Sequence, residues 1–219
     1  KVIPSNRGEF KNKIAIIGGG PAGLSCAYYL ALTGYRPIVF EKNEKPGGML
    51  TYGIPSYKLE KDVVEAEIDI IRALGVEIKC GVEVGKDITL DELRKDGYEA
   101  FYIAIGCQGS RKSGVAGEDA DGVMSAVDIL HEIAENHDLD LKGNKTVVIG
   151  GGNVAVDVAR STKRCGADVL GMFCLESREE MPASEEEIFE TEDEGIQINN
   201  GWGVKEILAE NGKVTGVVL

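Results

Sequence analysis

The strongest structural signal in this chain is Ile14-Ala15-Ile16-Ile17-Gly18-Gly19-Gly20-Pro21-Ala22-Gly23, and it returns as Thr146-Val147-Val148-Ile149-Gly150-Gly151-Gly152-Asn153-Val154-Ala155. In each stretch a short apolar run breaks into glycines and then begins a helical pattern. A strand, a glycine-rich turn and a helix in that order are typical of the Rossmann fingerprint, which binds the pyrophosphate of a dinucleotide. Two fingerprints predict two bound dinucleotides, and a pair of dinucleotides suggests electron transfer between them.

Composition narrows the class of protein. Of the 219 residues 43% are hydrophobic, which is enough for a core, and the formal net charge is −13. A strongly acidic chain lacks the basic face that nucleic acids require. Anionic cofactors can still bind, because helix N-termini supply local positive potential. No apolar run reaches membrane-spanning length. We therefore predict neither a nucleic-acid nor a membrane partner.

The five cysteines are dispersed and form no C-x-x-C motif. This argues against a thioredoxin-type dithiol and a zinc ribbon, and we predict no metal site. Dispersed, reduced thiols indicate a cytoplasmic protein. The sequence begins at Lys1 without Met and stops at Leu219 within an apolar run, so we expect a truncated piece of a longer polypeptide.

Hydrophobic patterning predicts an α/β fold of two Rossmann-like domains, residues 1–125 and 126–219, with the second incomplete. The expected strands are 13–17, 36–41, 76–80, a buried strand at 100–105, 145–149 and 168–174. The expected helices are 21–33, 59–74, 125–135, 153–164 and 184–193, and residues 43–57 are expected to form a loop. The apolar positions predicted for the helix 59–74 are Val63, Ile70, Ile71 and Leu74. Asn211-Gly212 predicts a hairpin turn, and Thr89 with Glu92 and Ser184 with Glu187 predict capping boxes.

The first fingerprint predicts an FAD site. Gly18 permits the tight turn, Gly20 the approach of the backbone to a pyrophosphate, and Gly23 close helix–strand packing. Glu41 ends the second strand, where a carboxylate accepts both hydroxyls of an adenosine ribose. The loop Pro46-Gly47-Gly48 suits a chain that wraps an extended FAD. The alternative is a glycine-rich turn followed by a solvated glutamate.

The second fingerprint is the G-x-G-x-x-A variant and predicts a nicotinamide dinucleotide. Asn153 and Asp157 either line the mouth of this site or begin the helix. Glu176, close after the next strand, favours a free 2′-hydroxyl and hence NADH, whereas Arg178 keeps NADPH open. The alternative is that Glu176 belongs to a charged surface run.

Together these residues resemble the glutamate synthase small (beta) subunit family, which includes subunits of ferredoxin-linked transhydrogenases and a segment of dihydropyrimidine dehydrogenase. The resemblance covers nearly the whole chain, and it implies three-layer domains with the second inserted in the first. Beyond both fingerprints it rests on the stretches Pro46–Pro55, Val84–Thr89, Ala104–Gly106, Gly117–Asp119 and Glu180–Ala183.

The resemblance implies FAD in the first domain, NADH or NADPH in the second, hydride transfer between them, and an iron–sulfur partner such as the glutamate synthase large subunit. It also implies that Tyr52–Pro55 lie near the isoalloxazine. The residues we predict to contact FAD are Gly18, Gly20, Pro21, Ala22, Gly23, Glu41, Lys42, Gly47, Gly48, Met49, Leu50, Ile54 and Gly106. Those predicted to contact the nicotinamide cofactor are Gly150, Gly152, Asn153, Val154, Ala155 and Glu176.

The sequence departs from this family in four respects. Family members often carry Tyr-Arg-Arg where this chain has Cys174-Leu175-Glu176, so NADPH preference is in doubt. The family's usual Ala-Thr-Gly is here Ala104-Ile105-Gly106. The N-terminal iron–sulfur segment and the C-terminal return to the FAD domain are not in the sequence, which puts FAD retention in question.

The preferred interpretation is a flavin-dependent NAD(P)H oxidoreductase. Hydride transfer requires no acid or base from the protein, so we assign no catalytic side chain, and His131 and His137 are expected at the surface. A non-catalytic dinucleotide-binding or assembly module is the alternative.

Overall fold

The computed structural model describes residues 5, 10–110, 112–136 and 139–219. They form two compact units, one ending at Cys107 and the other beginning at Gln108. The domain boundary predicted after residue 125 lies inside the second unit, directly before the helix that begins at Ala126. Where one folding domain ends and the next begins stays a prediction.

The first unit is a parallel sheet flanked by helices. Its strands run in the spatial order β3-β2-β1-β4, and every pair is parallel. The core lies on both faces of β1, where Ala15 and Ile16 are fully buried. The elements are β1 (Lys13–Ile17), α1 (Pro21–Thr33), β2 (Ile38–Phe40), α2 (Met49–Tyr52), α3 (Lys61–Ala73), β3 (Glu77–Lys79), α4 (Leu90–Lys95) and β4 (Tyr98–Ile103).

Local sequence explains how two of these helices end and begin. Gly34 ends α1 with a φ of 106°, a left-handed conformation that glycine adopts at little steric cost. The capping box predicted for α4 is confirmed, because Thr89 accepts from the Glu92 backbone while the Glu92 carboxylate accepts from the Thr89 N–H.

Three expectations for the first unit need correction. The loop predicted over 43–57 contains the short helix α2. Helix α3 buries Val64 and Ile68, whereas Val63, which the pattern assigned to the apolar face, is half exposed. Strand β4 lies at the edge of the sheet in the described part of the chain, and Tyr102 and Ile103 are exposed rather than buried. The faces of an edge strand are less fully covered by flanking helices than those of a central strand.

The second unit contains a three-stranded parallel sheet in the order β5-β6-β7 and an antiparallel hairpin, β8-β9. Helices α6 and α7 pack with α5 around a core that includes Val156 and Met172. The elements are α5 (Ala126–Glu135), β5 (Lys145–Ile149), α6 (Asn153–Arg164), β6 (Asp168–Cys174), a 3-10 turn (Arg178–Glu180), α7 (Glu185–Asp193), β7 (Ile198–Asn200), β8 (Glu206–Glu210) and β9 (Lys213–Val218).

The predicted hairpin turn is present between β8 and β9. Asn211 and Gly212 have φ values of 51° and 81°, and positive φ at both central residues is the mark of a type I′ turn. The glycine-rich stretch before α5 runs beside this hairpin, with bridges from Ala116 to Glu206 and from Asp121 to Lys213.

The α/β class with parallel sheets is therefore confirmed. None of the described helices is long and apolar enough to cross a bilayer. Within the same residues no group of His, Cys, Asp and Glu is arranged to hold a metal ion. His131 is partly buried beside Glu135, with Nδ1 3.5 Å from its carboxylate, and His137 lies outside the described residues.

Candidate functional site: two glycine loops

The first glycine loop packs tightly against backbone atoms. Gly18 has a φ of 109°, and a Cβ built on it would lie 2.3 Å from the Ala104 carbonyl oxygen. A Cβ on Gly23 would lie 2.0 Å from the Gly18 carbonyl oxygen. Both distances are too short for any side chain. These two glycines therefore let α1 start directly against β1 and β4.

Gly20 meets a second loop rather than its own strand. A Cβ built on Gly48 would lie 2.9 Å from the Gly20 Cα, and Gly47 donates a hydrogen bond of 2.8 Å to the Gly19 carbonyl. Two stretches of bare backbone thus adjoin at the start of α1. Backbone N–H groups with no side chain above them suit a pyrophosphate, so the residues of this cradle fit FAD.

The helices that follow the two glycine loops begin differently from most others. Helices α4, α5 and α7 each start with a serine or threonine side-chain cap and acidic residues in the first turn. Helices α1 and α6 start at Gly20 and Gly152 and, within the described chain, have neither a side-chain cap nor a first-turn acid. Their first N–H groups and the positive end of each helix dipole are available to an anion.

Glu41 is fixed at the end of β2. It is 4% exposed, and its Oε2 accepts from the Gly19 N–H at 2.7 Å while Oε1 accepts from the Asn43 N–H at 2.9 Å. A carboxylate has about four acceptor positions, so each oxygen can take one more hydrogen bond. Glu41 can therefore hold a ribose beside the glycine loop, as the sequence suggests.

Helix α2 contains further residues predicted to contact FAD, and Lys61 is hydrogen-bonded to it. The Lys61 ammonium donates to the Leu50 carbonyl at 2.9 Å and also to the Ile54 carbonyl. Burial lowers the pKa of Lys61. The hydrogen bonds hold Leu50 and Ile54 in register with α3. Of the other residues predicted to contact FAD, Pro21, Ala22 and Lys42 are exposed near the loop, Met49 begins α2, and Gly106 is exposed beyond β4.

An apolar groove of about 390 Å³ borders this region. Val63, half exposed on α3, lines it together with Leu24 and Leu50. Val63 is therefore exposed to an apolar groove of the first unit and not to a polar surface.

The second glycine loop is more open. Gly150 has a φ of 139°, and a Cβ on it would lie 3.2 Å from the Ala155 Cβ. A Cβ on Gly152 would meet nothing within 4 Å. The loop is thus tight where β5 turns into α6 and clear of protein at Gly152, where a pyrophosphate would approach. These residues fit a dinucleotide.

The residues directly before α7 are hydrogen-bonded to the second glycine loop and to the first residue of α6. The Ala183 N–H donates to the Gly151 carbonyl at 3.0 Å, and the Ser184 N–H donates to Asn153 Oδ1 at 2.9 Å. Ser184 caps α7 as expected, but its own N–H is bonded to Asn153, which takes the place of Glu187 in the predicted capping box. Asp157 is buried along α6.

Glu176 lies against the second loop much as Glu41 lies against the first. A Cβ on Gly151 would be 2.9 Å from Glu176 Oε2, and a Cβ on Gly19 would be 3.0 Å from Glu41 Oε2. Unlike Glu41, the Glu176 carboxylate accepts no hydrogen bond from any residue that the structure describes. Its position is therefore available to a ribose.

Asn200, which the sequence did not single out, sets the position of Glu176 together with Cys174. Asn200 Nδ2 donates to the Glu176 carbonyl at 3.1 Å and to Cys174 Sγ at 3.3 Å. Burial raises the pKa of the Cys174 thiol, and the nearby charge of Glu176 raises it further. Cys174 is thus a buried packing residue that supports the end of β6.

A buried arginine joins α6 to α7. The Arg160 side chain is 6% exposed and contacts Glu190 at 2.5 Å, Glu194 at 2.7 Å and Glu187 at 3.5 Å. The sequence alone gave no signal for this cluster except arginine on α6 and a glutamate every three or four residues on α7. The cluster fixes α7, whose N-cap residue Ser184 donates to Asn153.

Comparison with known proteins identifies the family. The sequence profile described as pyridine nucleotide-disulphide oxidoreductase matches residues 12–219. The chain is 44% identical to the beta subunit of the NADP(+)-dependent formate dehydrogenase of Moorella thermoacetica, over 94% of this chain and 29% of that one. It is 37% identical to the small chain of the NADPH glutamate synthase of Escherichia coli K12, over 94% of this chain and 46% of that one. The chain thus spans less than half the length of these relatives.

Solved structures share the fold. Mycobacterium tuberculosis FprA in complex with NADPH superposes with a TM-score of 0.68 at 24% identity, over 83% of this chain and 47% of that one. Lactococcus lactis thioredoxin reductase gives 0.68 at 24% identity, over 94% and 70%. The family profile and the curated relatives confirm the resemblance noted in the sequence: the chain belongs to the pyridine nucleotide-disulphide oxidoreductase family, among relatives that include the glutamate synthase small chain.

Proposed function

We propose that this chain is an NAD(P)H-dependent flavin oxidoreductase module that binds FAD in its first unit and a nicotinamide dinucleotide in its second. The observation that carries the proposal is the repeated arrangement of loop and acid. In both units an uncapped helix follows a glycine loop, and a carboxylate lies beside the middle glycine, Gly19 or Gly151.

In the first unit the chain's own groups hold the FAD. The N-terminal N–H groups of α1 and the cradle between Gly20 and Gly48 bind the pyrophosphate, and Glu41 binds the ribose. Lys61 positions the α2 segment, because it holds the Leu50 and Ile54 carbonyls. Through that segment it positions the backbone beside the isoalloxazine.

In the second unit we propose NADH as the preferred electron donor. Glu176 occupies the position that Glu41 occupies in the first unit, where a carboxylate accepts from a free 2′-hydroxyl and repels a 2′-phosphate. The two curated relatives carry NADP(+) or NADPH in their names. We attribute the different preference of this chain to Glu176 at the end of β6.

When bound, the cofactors supply the redox chemistry, with a hydride passing from the nicotinamide to the flavin and electrons leaving the flavin singly. The protein binds both dinucleotides and orients them. We propose an iron–sulfur protein or domain as the acceptor, such as a glutamate synthase large subunit. The five free cysteines support a cytoplasmic location.

Anaerobic titration tests the proposal. The full chain is reconstituted with FAD, and NADH is added while the visible flavin absorbance is recorded. Bleaching with one flavin reduced per NADH supports the proposal. Binding of both cofactors without bleaching contradicts it and favours the non-catalytic dinucleotide-binding module.

A further inference from the structure

Two large apolar side chains are exposed beside the second glycine loop. Leu175 is 75% exposed and Trp202 is 51% exposed. Single exposed apolar residues are ordinary on protein surfaces, but two such residues next to a candidate binding edge offer an apolar surface to a ligand bound there.

The backbone brings this pair together. The Trp202 N–H donates to the Cys174 carbonyl at 2.9 Å, and the Gly201 N–H donates to the Glu176 carbonyl at 3.3 Å. A Cβ on Gly203 would lie 2.9 Å from Leu175 Cδ2. The chain that follows β7 is therefore bonded to the chain that follows β6, and Leu175 lies against the residue next to Trp202.

The order of the strands indicates what covers the pair. The glycine loop follows β5, Glu176 follows β6, and Trp202 follows β7, and these three strands are neighbours in that order. A dinucleotide presents its pyrophosphate, ribose and adenine in the same order. With the pyrophosphate at Gly152 and the ribose at Glu176, the adenine is carried toward the end of β7.

We propose that Leu175 and Trp202 form the seat of the adenine ring of the nicotinamide dinucleotide, an inference that rests on the proposed function of the second unit. The chemistry suits this occupant. Adenine has a flat, weakly polar face, and stacking on an aromatic side chain favours it without the need for further hydrogen bonds.

Binding of ADP-ribose tests the seat without any turnover. The full chain is saturated with FAD so that the first site is filled, and ADP-ribose is added. Trp202 is the one tryptophan of the sequence, so its emission reports directly on stacking. We expect saturable quenching, and calorimetry gives the Kd independently.

Variants locate the effect. We expect Trp202→Ala to weaken ADP-ribose binding about tenfold, within the range for loss of one base–aromatic stack, and Trp202→Phe to retain most of the affinity. Phe189→Ala, which removes an exposed aromatic from α7, is the matched control and is expected to bind ADP-ribose normally. FAD affinity is expected to be unchanged in all three.

The possible outcomes distinguish failure of the adenine seat from failure of the proposed dinucleotide site in the second unit. If wild-type chain binds ADP-ribose with unchanged emission, or if Trp202→Ala binds as tightly as wild type, the adenine seat is wrong while the second dinucleotide site stands. If wild-type chain does not bind ADP-ribose at all, both fail. A change of oligomeric state in Trp202→Ala with unchanged ADP-ribose affinity also overturns the seat and assigns the pair to a protein contact. Should Trp202→Ala not fold, the wild-type emission decides: saturable quenching supports the adenine seat, and unchanged emission overturns it.

Discussion

Asn153 Oδ1 accepts a hydrogen bond of 2.9 Å from the backbone N–H of Ser184. Asn153 is the first residue of α6, and Ser184 is the cap of α7. The contact therefore couples the helix that follows the second glycine loop to the helix that flanks it. It also means that the Asn153 side chain has a structural partner in addition to any phosphate it approaches.

Replacing Asn153 separates these two roles. Asn153→Ala removes the acceptor, so we expect about 1 kcal/mol lower stability and faster hydrogen exchange at the Ser184 amide. Asn153→Asp keeps the acceptor but adds a negative charge to the first turn of α6. We expect normal stability and weaker ADP-ribose binding, because the charge repels a pyrophosphate. Unchanged ADP-ribose affinity in Asn153→Asp would contradict a phosphate at this helix end.

Alanine substitutions at the loop glycines are expected to separate effects on folding from effects on binding. In Gly23→Ala the new Cβ meets the Gly18 carbonyl oxygen, so we expect loss of the folded first unit by circular dichroism and thermal melting. Gly20 and Gly152 have extended backbones, and a Cβ there would be 3.8 Å from Gly48 Cα or clear of protein. Alanine at either is expected to leave the melting temperature unchanged.

Binding then assigns each loop to its cofactor. A methyl group at Gly20 occupies the cradle, so we expect Gly20→Ala to weaken FAD alone, and Gly152→Ala to weaken ADP-ribose alone. Gly109→Ala, at an exposed glycine with open space around it, is the control for an innocuous methyl group. If Gly20→Ala and Gly152→Ala bind both ligands normally, the loops do not approach the phosphates.

Much of this arrangement is readable from the sequence, because it depends on local patterns. The apolar runs before Gly18 and Gly150 predict β1 and β5, and the periodicity after each loop predicts α1 and α6. The capping box at Thr89 and the turn at Asn211-Gly212 depend on neighbours within four residues, and both are confirmed.

Contacts between distant residues were not readable in the same way. The bond from Ser184 to Asn153 competes with the local capping box, and only the packing of α7 beside α6 reveals which partner is used. Strand β4 reads as buried because its residues are apolar, but a single sequence does not say which strand lies at the edge. Trp202 belongs to no recognisable motif in the sequence. Its place beside Leu175 and Glu176 follows only from the pairing of β7 with β6.

The two ribose-site glutamates are expected to differ in their effect on stability. In Glu41→Gln an amide N–H₂ would face the Gly19 or the Asn43 N–H in a buried site, which costs about 1–3 kcal/mol. Glu176→Gln breaks no hydrogen bond within the described chain, so its unfolding free energy is expected to match wild type. Urea unfolding monitored by far-UV circular dichroism measures both. Equal losses would contradict the different anchoring of these side chains.

Glu176 also sets the proposed coenzyme preference. In Glu176→Arg the carboxylate is replaced by a guanidinium that pairs with a 2′-phosphate, so the ratio of kcat/KM for NADPH to that for NADH is expected to rise at least tenfold. Arg178→Met is the comparison, because Arg178 is already paired with Glu192 at 2.9 Å. If Arg178→Met lowers NADPH use while Glu176→Arg changes nothing, the phosphate contact belongs to Arg178.

The Arg160 cluster is expected to stabilise the second unit. Arg160→Met keeps much of the buried volume but removes the cation that three carboxylates surround, two of them on α7 and the third at Glu194, its C-cap. We expect a loss of about 2–3 kcal/mol, less than for fully buried pairs because these carboxylates are partly solvated. Arg178→Met, which breaks one exposed pair, is expected to change stability by less than about 0.5 kcal/mol.

The same cluster predicts how stability depends on acid. Burial alone would raise the pKa of Glu194, but hydrogen bonds and charges from Arg164 and Arg160 lower its pKa below the ordinary value of 4.5. A carboxyl group with a lower pKa in the folded state stabilises the protein above that ordinary value, and this stability is lost as pH falls through the folded pKa. Unfolding free energies measured from about pH 6 to about pH 3 should therefore decline less steeply in Arg160→Met than in wild type. Parallel curves would show that Arg160 does not set the ionisation of Glu194.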